Sequence, residues 1–229
     1  MVSEKLLQKD EKQKAWIREH LEKFSFLYKN MGDRLEEYVD LFLIHPAYFE
    51  TFEKLYLIEK RHILMTLTHT MKQLLNKEVP EDEPGIISYD SYWEYLKGDA
   101  TNKTIPEVKE VIEKSSQLEG IIEQSFTKPI YKSMALRVIH ALSVNRLTKD
   151  DIYSPLGITV ENMKDDLCLF DPLIPEKEED FLATQITTVM REISKTVSGQ
   201  FIEYNKENEQ YFLNLKKNID YYDIKVRIV

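Results

Sequence analysis

Apolar residues recur every three or four positions along most of the chain, which is the spacing of helices that bury one face. The clearest such stripe covers residues 10–28, and another covers residues 108–126. Residues 47–75 fit either one long helix or two helices that meet near Leu57. Residues 35–42 are rich in Tyr, Val and Phe, so they are compatible with a helix or with a partly extended segment. The pattern therefore predicts a mainly helical first half.

Local signals indicate where several of these helices begin. Asp33 followed by Glu36 resembles a capping box that opens a helix. Pro46 suits the first turn of a helix, so we expect the chain to restart there. Residues 86–96 are too aromatic for a solvated loop, which favours a short packed helix between two polar loops.

The pattern changes after Lys128 and Pro129. Three amphipathic segments are followed by two short apolar runs around a polar turn, and Gly199 ends the third segment as a C-terminal cap would. The predicted helices cover residues 134–147, about 159–170 and 181–197, and the predicted strands cover residues 201–204 and 210–215. Three helices and a hairpin are the pattern of a winged-helix domain, a fold that often binds DNA.

The predicted fold class is therefore mainly α, with a helical, lid-like bundle at residues 1–130 and a winged-helix-like domain at residues 131–229. Residues 221–229 alternate apolar and charged positions, which predicts a C-terminal strand. That strand fits a natural terminus or an excised piece of a longer protein equally well.

Composition narrows the possible functions. The formal charge is −9 at neutral pH, which argues against binding nucleic acid by bulk electrostatics, because phosphate contacts draw on clustered Lys and Arg. No apolar run approaches the roughly 18 residues that a membrane span needs. The charged N-terminal segment lacks the apolar core of a secretory signal. We therefore expect a cytoplasmic protein with no membrane partner.

The sequence lacks recognisable catalytic and metal-binding motifs. None of the six glycines is followed by Lys and then Ser or Thr, so a phosphate-binding loop is missing. Cys168 is the only cysteine, and its apolar neighbours favour a buried thiol over a nucleophile. His62 and His69 lack a third ligand nearby, and His140 fits a hydrogen-bonded core position. We therefore expect neither catalysis nor a metal or cofactor site in this chain.

Charge also decides between two uses of the winged helix. In a winged helix the hairpin is called the wing. Arg191 and Lys195 on the third helix could contact DNA, together with Lys206 at the tip of the wing. The wing tip is otherwise acidic, and the chain from Met134 onward contains 12 basic and 16 acidic residues. DNA binding is possible but disfavoured, and a packing or protein-docking wing is the better interpretation.

One charged cluster stands near the start of a predicted helix. Residues 59–62 read Glu-Lys-Arg-His. Arg61 could reach an anionic ligand from outside, as a lid residue does over a phosphate. The alternative is a solvated charged turn.

Several stretches together resemble one family. These are residues 43–53 (LIHPAYFETFE), 59–64 (EKRHIL), 89–93 (YDSYW), 118–126 (LEGIIEQSF), 135–143 (ALRVIHALS) and 199–202 (GQFI). They are similar to the PglY/BrxC-type AAA+ ATPases, which are large proteins of the BREX and Pgl phage-defence systems. The likeness covers nearly the whole chain.

The resemblance implies that this chain is an internal segment of a far larger ATPase whose P-loop core lies elsewhere. It makes the first half a helical lid, the second half a winged helix, and Arg61 a nucleotide-sensing lid arginine. It implies that ATP and Mg²⁺ bind the parent protein, and that the partners are the rest of that ATPase and other defence proteins. The alternatives are a DNA-contacting module and a stand-alone interaction module that uses its 13 tyrosines.

Overall fold

The computed structural model describes residues 8–55, 65, 67–68, 71, 78–148, 151–171, 173 and 179–215. These residues contain nine α-helices and one two-stranded sheet. The helices are α1 (Glu11–Glu22), α2 (Lys29–Asp33), α3 (Leu35–Leu41), α4 (Pro46–Lys54), α5 (Tyr92–Gly98), α6 (Pro106–Ser125), α7 (Lys132–Arg146), α8 (Val160–Leu167) and α9 (Glu179–Thr196). The strands are β1 (Ile202–Asn205) and β2 (Gln210–Leu213), and four short 3-10 turns complete the regular structure.

The predicted fold class is confirmed, because the described chain is mainly helical and ends in a small antiparallel hairpin. In the hairpin, Ile202 pairs with Leu213 and Asn205 with Gln210. Ile158, between α7 and α8, forms an antiparallel bridge to Tyr211 of β2. The order is therefore a helix, a single bridging residue, two helices and a hairpin, as in a winged helix.

The N-terminal helices are shorter than the apolar stripe predicts. Asp10 opens α1 with a capping box, since its Oδ1 accepts the Gln13 amide and the Gln13 side chain accepts the Asp10 amide. The helix ends at Glu22, and the rest of the stripe belongs to a turn and a 3-10 segment. The predicted capping box at Asp33 is wrong, because Asp33 is the last residue of α2 and α3 begins without a side-chain cap.

The next two segments resolve alternatives that the sequence leaves open. Residues 35–41 are helical rather than extended. The single long helix after Pro46 is wrong, because α4 ends at Lys54 and Leu55 is extended. Arg61, like His62 and His69, lies outside the described residues.

Helix α7 lies at the centre of the fold. It contacts α5, α6, α8, α9 and β2, and its buried residues face every direction, as in a core helix. The hydroxyl of Ser143 donates to the carbonyl of Ile139 at 2.7 Å, so the hydroxyl of Ser115 in α6 donates to Ser143 at 2.6 Å. Two small residues with a satisfied hydrogen bond thus allow α6 and α7 to pack closely.

Elements on both sides of residue 130 share one hydrophobic core. The buried hydroxyl of Tyr28 donates to the carbonyl of Leu169 at 2.7 Å. The hydroxyl of Ser88 donates to the carbonyl of Leu167, also at 2.7 Å. The division into two domains stays a prediction, but the two predicted parts are packed together.

Replacing Tyr28 with Phe removes the hydroxyl that satisfies the Leu169 carbonyl. We expect the free energy of unfolding, measured by urea denaturation, to fall by about 1–2 kcal/mol because a buried hydrogen bond is lost. Tyr204→Phe is the matched control, since Tyr204 is 45% exposed and should change stability by less than about 0.5 kcal/mol. Equal losses in the two variants would contradict a role for the Tyr28 bond.

Candidate functional site

A cavity of about 570 Å³ lies between the loop of residues 78–87, the start of α7 and the segment that follows α8. Its volume falls within the range of small-molecule sites, roughly 300–1,000 Å³. Its walls are mainly apolar and include Leu43, Val79, Ile86, Ile87, Met134 and Leu169. The charged side chains in the wall are those of Glu78, Glu83, Arg137 and Asp171.

Arg137 joins three parts of the chain at the cavity wall. Its Nε lies 2.9 Å from Oδ2 of Asp90, and its Nη2 donates to the carbonyl of Leu167 at 2.6 Å and to the Asp90 carboxylate. Burial lowers the pKa of Arg137, but the Asp90 carboxylate outweighs that effect and leaves the pKa raised. The Nη1 group takes no part in these bonds, and a third of the side chain is exposed.

Asp171 is a buried carboxylate in the segment that follows α8. The residue is 4% exposed, and its Oδ1 accepts the amide of Leu173 at 2.9 Å. Its Oδ2 is buried without a hydrogen-bond partner among the described residues. An unpaired buried carboxylate oxygen is costly.

Cys168 also lines the cavity, directly after α8. It has a φ of 42° and ends the helix in the left-handed region. Burial raises the pKa of its thiol, which keeps it protonated at neutral pH. These features support the buried-thiol interpretation over a nucleophile.

His45 connects the beginning of α4 with the end of α8. Its Nδ1 accepts the amide of Ala47 at 3.0 Å, so Nε2 carries the proton and donates to the carbonyl of Asp165 at 2.9 Å. Tyr38 lies 2.8 Å from the same nitrogen. Burial lowers the pKa of His45 to about 4. Both ring nitrogens are therefore occupied by structural hydrogen bonds.

His140 lies in a polar network between α5, α6 and α7, as expected for a hydrogen-bonded histidine. Its Nε2 lies 3.3 Å from Glu119, which also accepts from Lys97 at 2.9 Å and from the indole of Trp93. Burial raises the pKa of Glu119, but the bonds from His140, Lys97 and Trp93 outweigh it and lower the pKa to about 2. The network is satisfied internally.

The proposed DNA-contacting residues are exposed. Arg191 and Lys195 lie one turn apart on the solvent side of α9, and Lys206 lies in the turn of the hairpin. Lys195 is 4.0 Å from Glu192. The exposed acids of the hairpin are Glu203, Glu207 and Glu209. Contact with a phosphate backbone at the wing would therefore be opposed by like charge.

Arg146 connects α7 to the hairpin. Its Nε and Nη2 donate to the carbonyl of Leu213 at 2.8 and 2.6 Å, and its guanidinium lies over the ring of Phe212. The residue is 2% exposed, and burial lowers its pKa to about 10. Its Nη1 is buried without a partner among the described residues.

Sequence reasoning missed Arg137, Arg146 and Asp171. The available signal for the two arginines was their place within the otherwise apolar helix of residues 134–147. A charged residue in a helix that is buried on all sides must find partners inside the protein. For Asp171 the sequence carried no such signal, because aspartates are common in polar connections.

Two further observations apply to the described part of the chain. No group of three or more His, Cys, Asp or Glu side chains is arranged to hold a metal ion there. In the same residues, no helix has the length and hydropathy to cross a membrane.

The low pKa of His45 predicts a pH dependence of stability. The folded protein resists protonation of His45, so its contribution is complete above about pH 6.5 and is lost as the pH falls towards 4. His45→Asn can still cap α4 but loses the donor to Asp165. We expect this variant to be about 1 kcal/mol less stable at pH 7. We expect the difference to shrink below pH 6.5 and to reverse towards pH 4, because the wild type then loses about 3 kcal/mol and Asn does not titrate.

Urea denaturation across this pH range measures the effect. His45→Ala is the companion variant, since it loses the cap as well and should be destabilised by about 1 kcal/mol more. A difference between wild type and His45→Asn that is the same at every pH would contradict the assignment.

Comparison with known proteins gives one match. A family model described as the DUF6079 second domain matches residues 10–219. No curated protein and no solved structure matches the chain. The matched region contains the cavity, α7 and the whole hairpin.

Proposed function

The chain belongs to the DUF6079 second-domain family, and we propose that it is the non-catalytic lid and winged-helix segment of a large P-loop ATPase. In this proposal the parent protein acts in bacterial or archaeal phage defence and binds ATP and Mg²⁺ on its own core. The segment couples the nucleotide state of that core to docking of other parts. A family described as a second domain is consistent with such a place in a longer protein.

The observation that carries the proposal is the anchoring of α7 at two points. Arg137 holds the helix to Asp90 on the N-terminal side of the fold, and Arg146 holds it to Leu213 in the hairpin. The two arginines are nine residues apart, which is about 13 Å along a helix. A packed helix anchored at both points moves as a unit, because close-packed interiors transmit displacement. The fold is therefore suited to relay a shift of the helical bundle to the wing.

The docking part of the proposal rests on the wing. Tyr204 is exposed on the hairpin and packs against Tyr211, with ring centroids 4.7 Å apart. Tyrosine is common in protein interfaces, because its side chain combines an apolar ring with a polar hydroxyl. We place the rest of the parent ATPase, or another defence protein, against this surface. Arg61 remains the proposed nucleotide-sensing residue, on the strength of the family resemblance alone.

The ATPase proposal is tested with the full-length protein. We expect this chain alone to show no ATP turnover and the full-length protein to hydrolyse ATP. Arg137→Lys should slow that hydrolysis several-fold, because Lys lacks the rigid planar fork of donors with which Arg137 binds the Asp90 carboxylate and the Leu167 carbonyl together. Arg18→Lys is the matched control, since Arg18 binds Glu36 through two nitrogens but on the surface.

Two outcomes would refute the proposal. One is ATP turnover by this chain alone that survives repurification. The other is a full-length protein in which Arg137→Lys and Arg18→Lys behave alike although both fold, as judged by circular dichroism.

A second candidate function, DNA contact, is favoured by the exposure of Arg191 and Lys195 on one side of α9. We expect it to fail, with no mobility shift of duplex DNA at low salt, because the hairpin is acidic. A shift that weakens steeply with salt and is lost in Arg191→Ala/Lys195→Ala would establish DNA binding instead. Lys12→Ala/Lys109→Ala is the matched control, because it removes two exposed helix cations outside the winged helix.

A further inference from the structure

The cavity beside Arg137 has a definite chemical preference. We propose that it binds a small, uncharged molecule with a carbonyl group on an apolar chain, such as a ketone, an ester or an amide. In the complex, the carbonyl oxygen accepts a hydrogen bond from Nη1 of Arg137. This inference does not rest on the ATPase function, since it concerns a cavity within the described chain.

The walls of the cavity are held in place without a ligand. The loop of residues 78–87 is held where Nε2 of His20 lies 3.3 Å from the carbonyl of Pro84. The segment after α8 is held where the hydroxyl of Tyr28 donates to the carbonyl of Leu169. A site that is formed in advance loses little conformational freedom when a ligand enters.

Most of the wall is apolar, and its volume suits a small molecule. Ile86, Ile87, Met134 and Leu169 line the cavity, whose volume is about 570 Å³. Small-molecule sites are usually of this size and are lined mainly by apolar side chains around a few polar groups. An aliphatic chain that enters the cavity leaves water, which provides the main driving force for binding.

Arg137 leaves one nitrogen for a ligand at this wall. Its Nε and Nη2 are bound to the Asp90 carboxylate and to the carbonyl of Leu167. Its Nη1 has no hydrogen-bond partner among the described residues and, unlike the Nη1 of Arg146, is not buried. The side chain is 32% exposed and lines the cavity. Nη1 is therefore the donor that a ligand in the cavity reaches.

The charges around the cavity favour an uncharged acceptor. A guanidinium carries donors and no acceptor, so an ammonium head gains no hydrogen bond from Nη1. The charge of Arg137 is compensated by Asp90 at 2.9 Å. The other charged residues of the wall are all acidic, namely Glu78, Glu83 and Asp171. A carboxylate ligand would therefore be repelled, whereas a neutral carbonyl accepts from Nη1 without that cost.

Methyl NMR of the methionines locates the bound ligand. Met134 lines the cavity, whereas Met163 and Met190 are buried outside its wall. On titration with 2-heptanone, which has a carbonyl on a five-carbon chain, we expect the Met134 methyl signal to shift in a saturable manner. The Met163 and Met190 signals should stay unchanged.

Two charged compounds with the same five-carbon chain test the preference for a neutral acceptor. Hexanoate replaces the terminal methyl group next to the carbonyl by a charged oxygen, and hexylamine replaces the acetyl head by a protonated aminomethyl group. We expect both to bind at least tenfold more weakly than 2-heptanone. Hexylamine is the sharper comparison, because the acidic residues of the wall would favour it if Nη1 played no part.

A conservative variant tests the role of Nη1. Arg137→Lys has no second terminal nitrogen at that position, so it should bind 2-heptanone at least fivefold more weakly. Hexylamine gains no bond from Nη1 and should bind this variant as it binds the wild type, whereas a distorted cavity would weaken both compounds. Arg18→Lys is the matched control, because Arg18 binds Glu36 through two nitrogens on the surface, outside the cavity wall.

The proposal is overturned if 2-heptanone leaves the Met134 signal of the wild-type protein unchanged at millimolar concentration. It is also overturned if hexanoate or hexylamine binds the wild type as tightly as 2-heptanone does, a comparison that needs no variant to fold. Equal binding of 2-heptanone by folded Arg137→Lys and Arg18→Lys would exclude Nη1 as the donor and overturn it as well.

Discussion

The ion pair between Arg137 and Asp90 sets the arrangement of the elements around α7. Apolar packing is non-directional, and α7 has apolar side chains on every side, so packing alone leaves its rotation poorly determined. A guanidinium has donors in a fixed planar fork. By binding Asp90 and the carbonyl of Leu167 together, Arg137 admits one rotation of α7 and one position for the end of α8.

The same helix shows how polar groups can be used inside a core. Ser143 is bonded to Ser115 of α6, and Arg146 donates to the carbonyl of Leu213 in β2. These two contacts link α7 to different neighbours, and each would be lost if the helix turned or slid by one residue. A buried charge contributes little net stability after desolvation. Arg137 and Arg146 therefore contribute mainly by fixing the orientation of α7 relative to its neighbours.

The cavity follows from that geometry. Arg137 holds the end of α8, and the chain then passes Cys168 and Leu169 to Asp171, which forms part of the wall. The hydroxyl of Tyr28 donates to the carbonyl of Leu169. The segment is thus held by tertiary hydrogen bonds rather than by regular secondary structure, and it leaves space between itself and the loop of residues 78–87. An apolar cavity with few polar groups is the usual form of a ligand site.

Much of the architecture is present in the sequence, because apolar spacing reports directly which face of an element is buried. The hairpin, the helices of the winged helix and the helix start at Pro46 could be predicted in this way. Helix ends were harder to predict, as the stripe beyond Glu22 shows, because a 3-10 turn and an irregular segment can bury the same residues as a helix.

The polar sites cannot be predicted from apolar spacing. Arg137 meets Asp90, and Asp171 reaches the cavity, only because distant parts of the chain are brought together, and no local pattern records which charges will face each other. The sequence by itself determined the helices, the wing and its acidic charge, since these depend on near neighbours. The tertiary structure alone decided which polar groups are buried and which of them are paired, because these depend on contacts between distant parts of the chain.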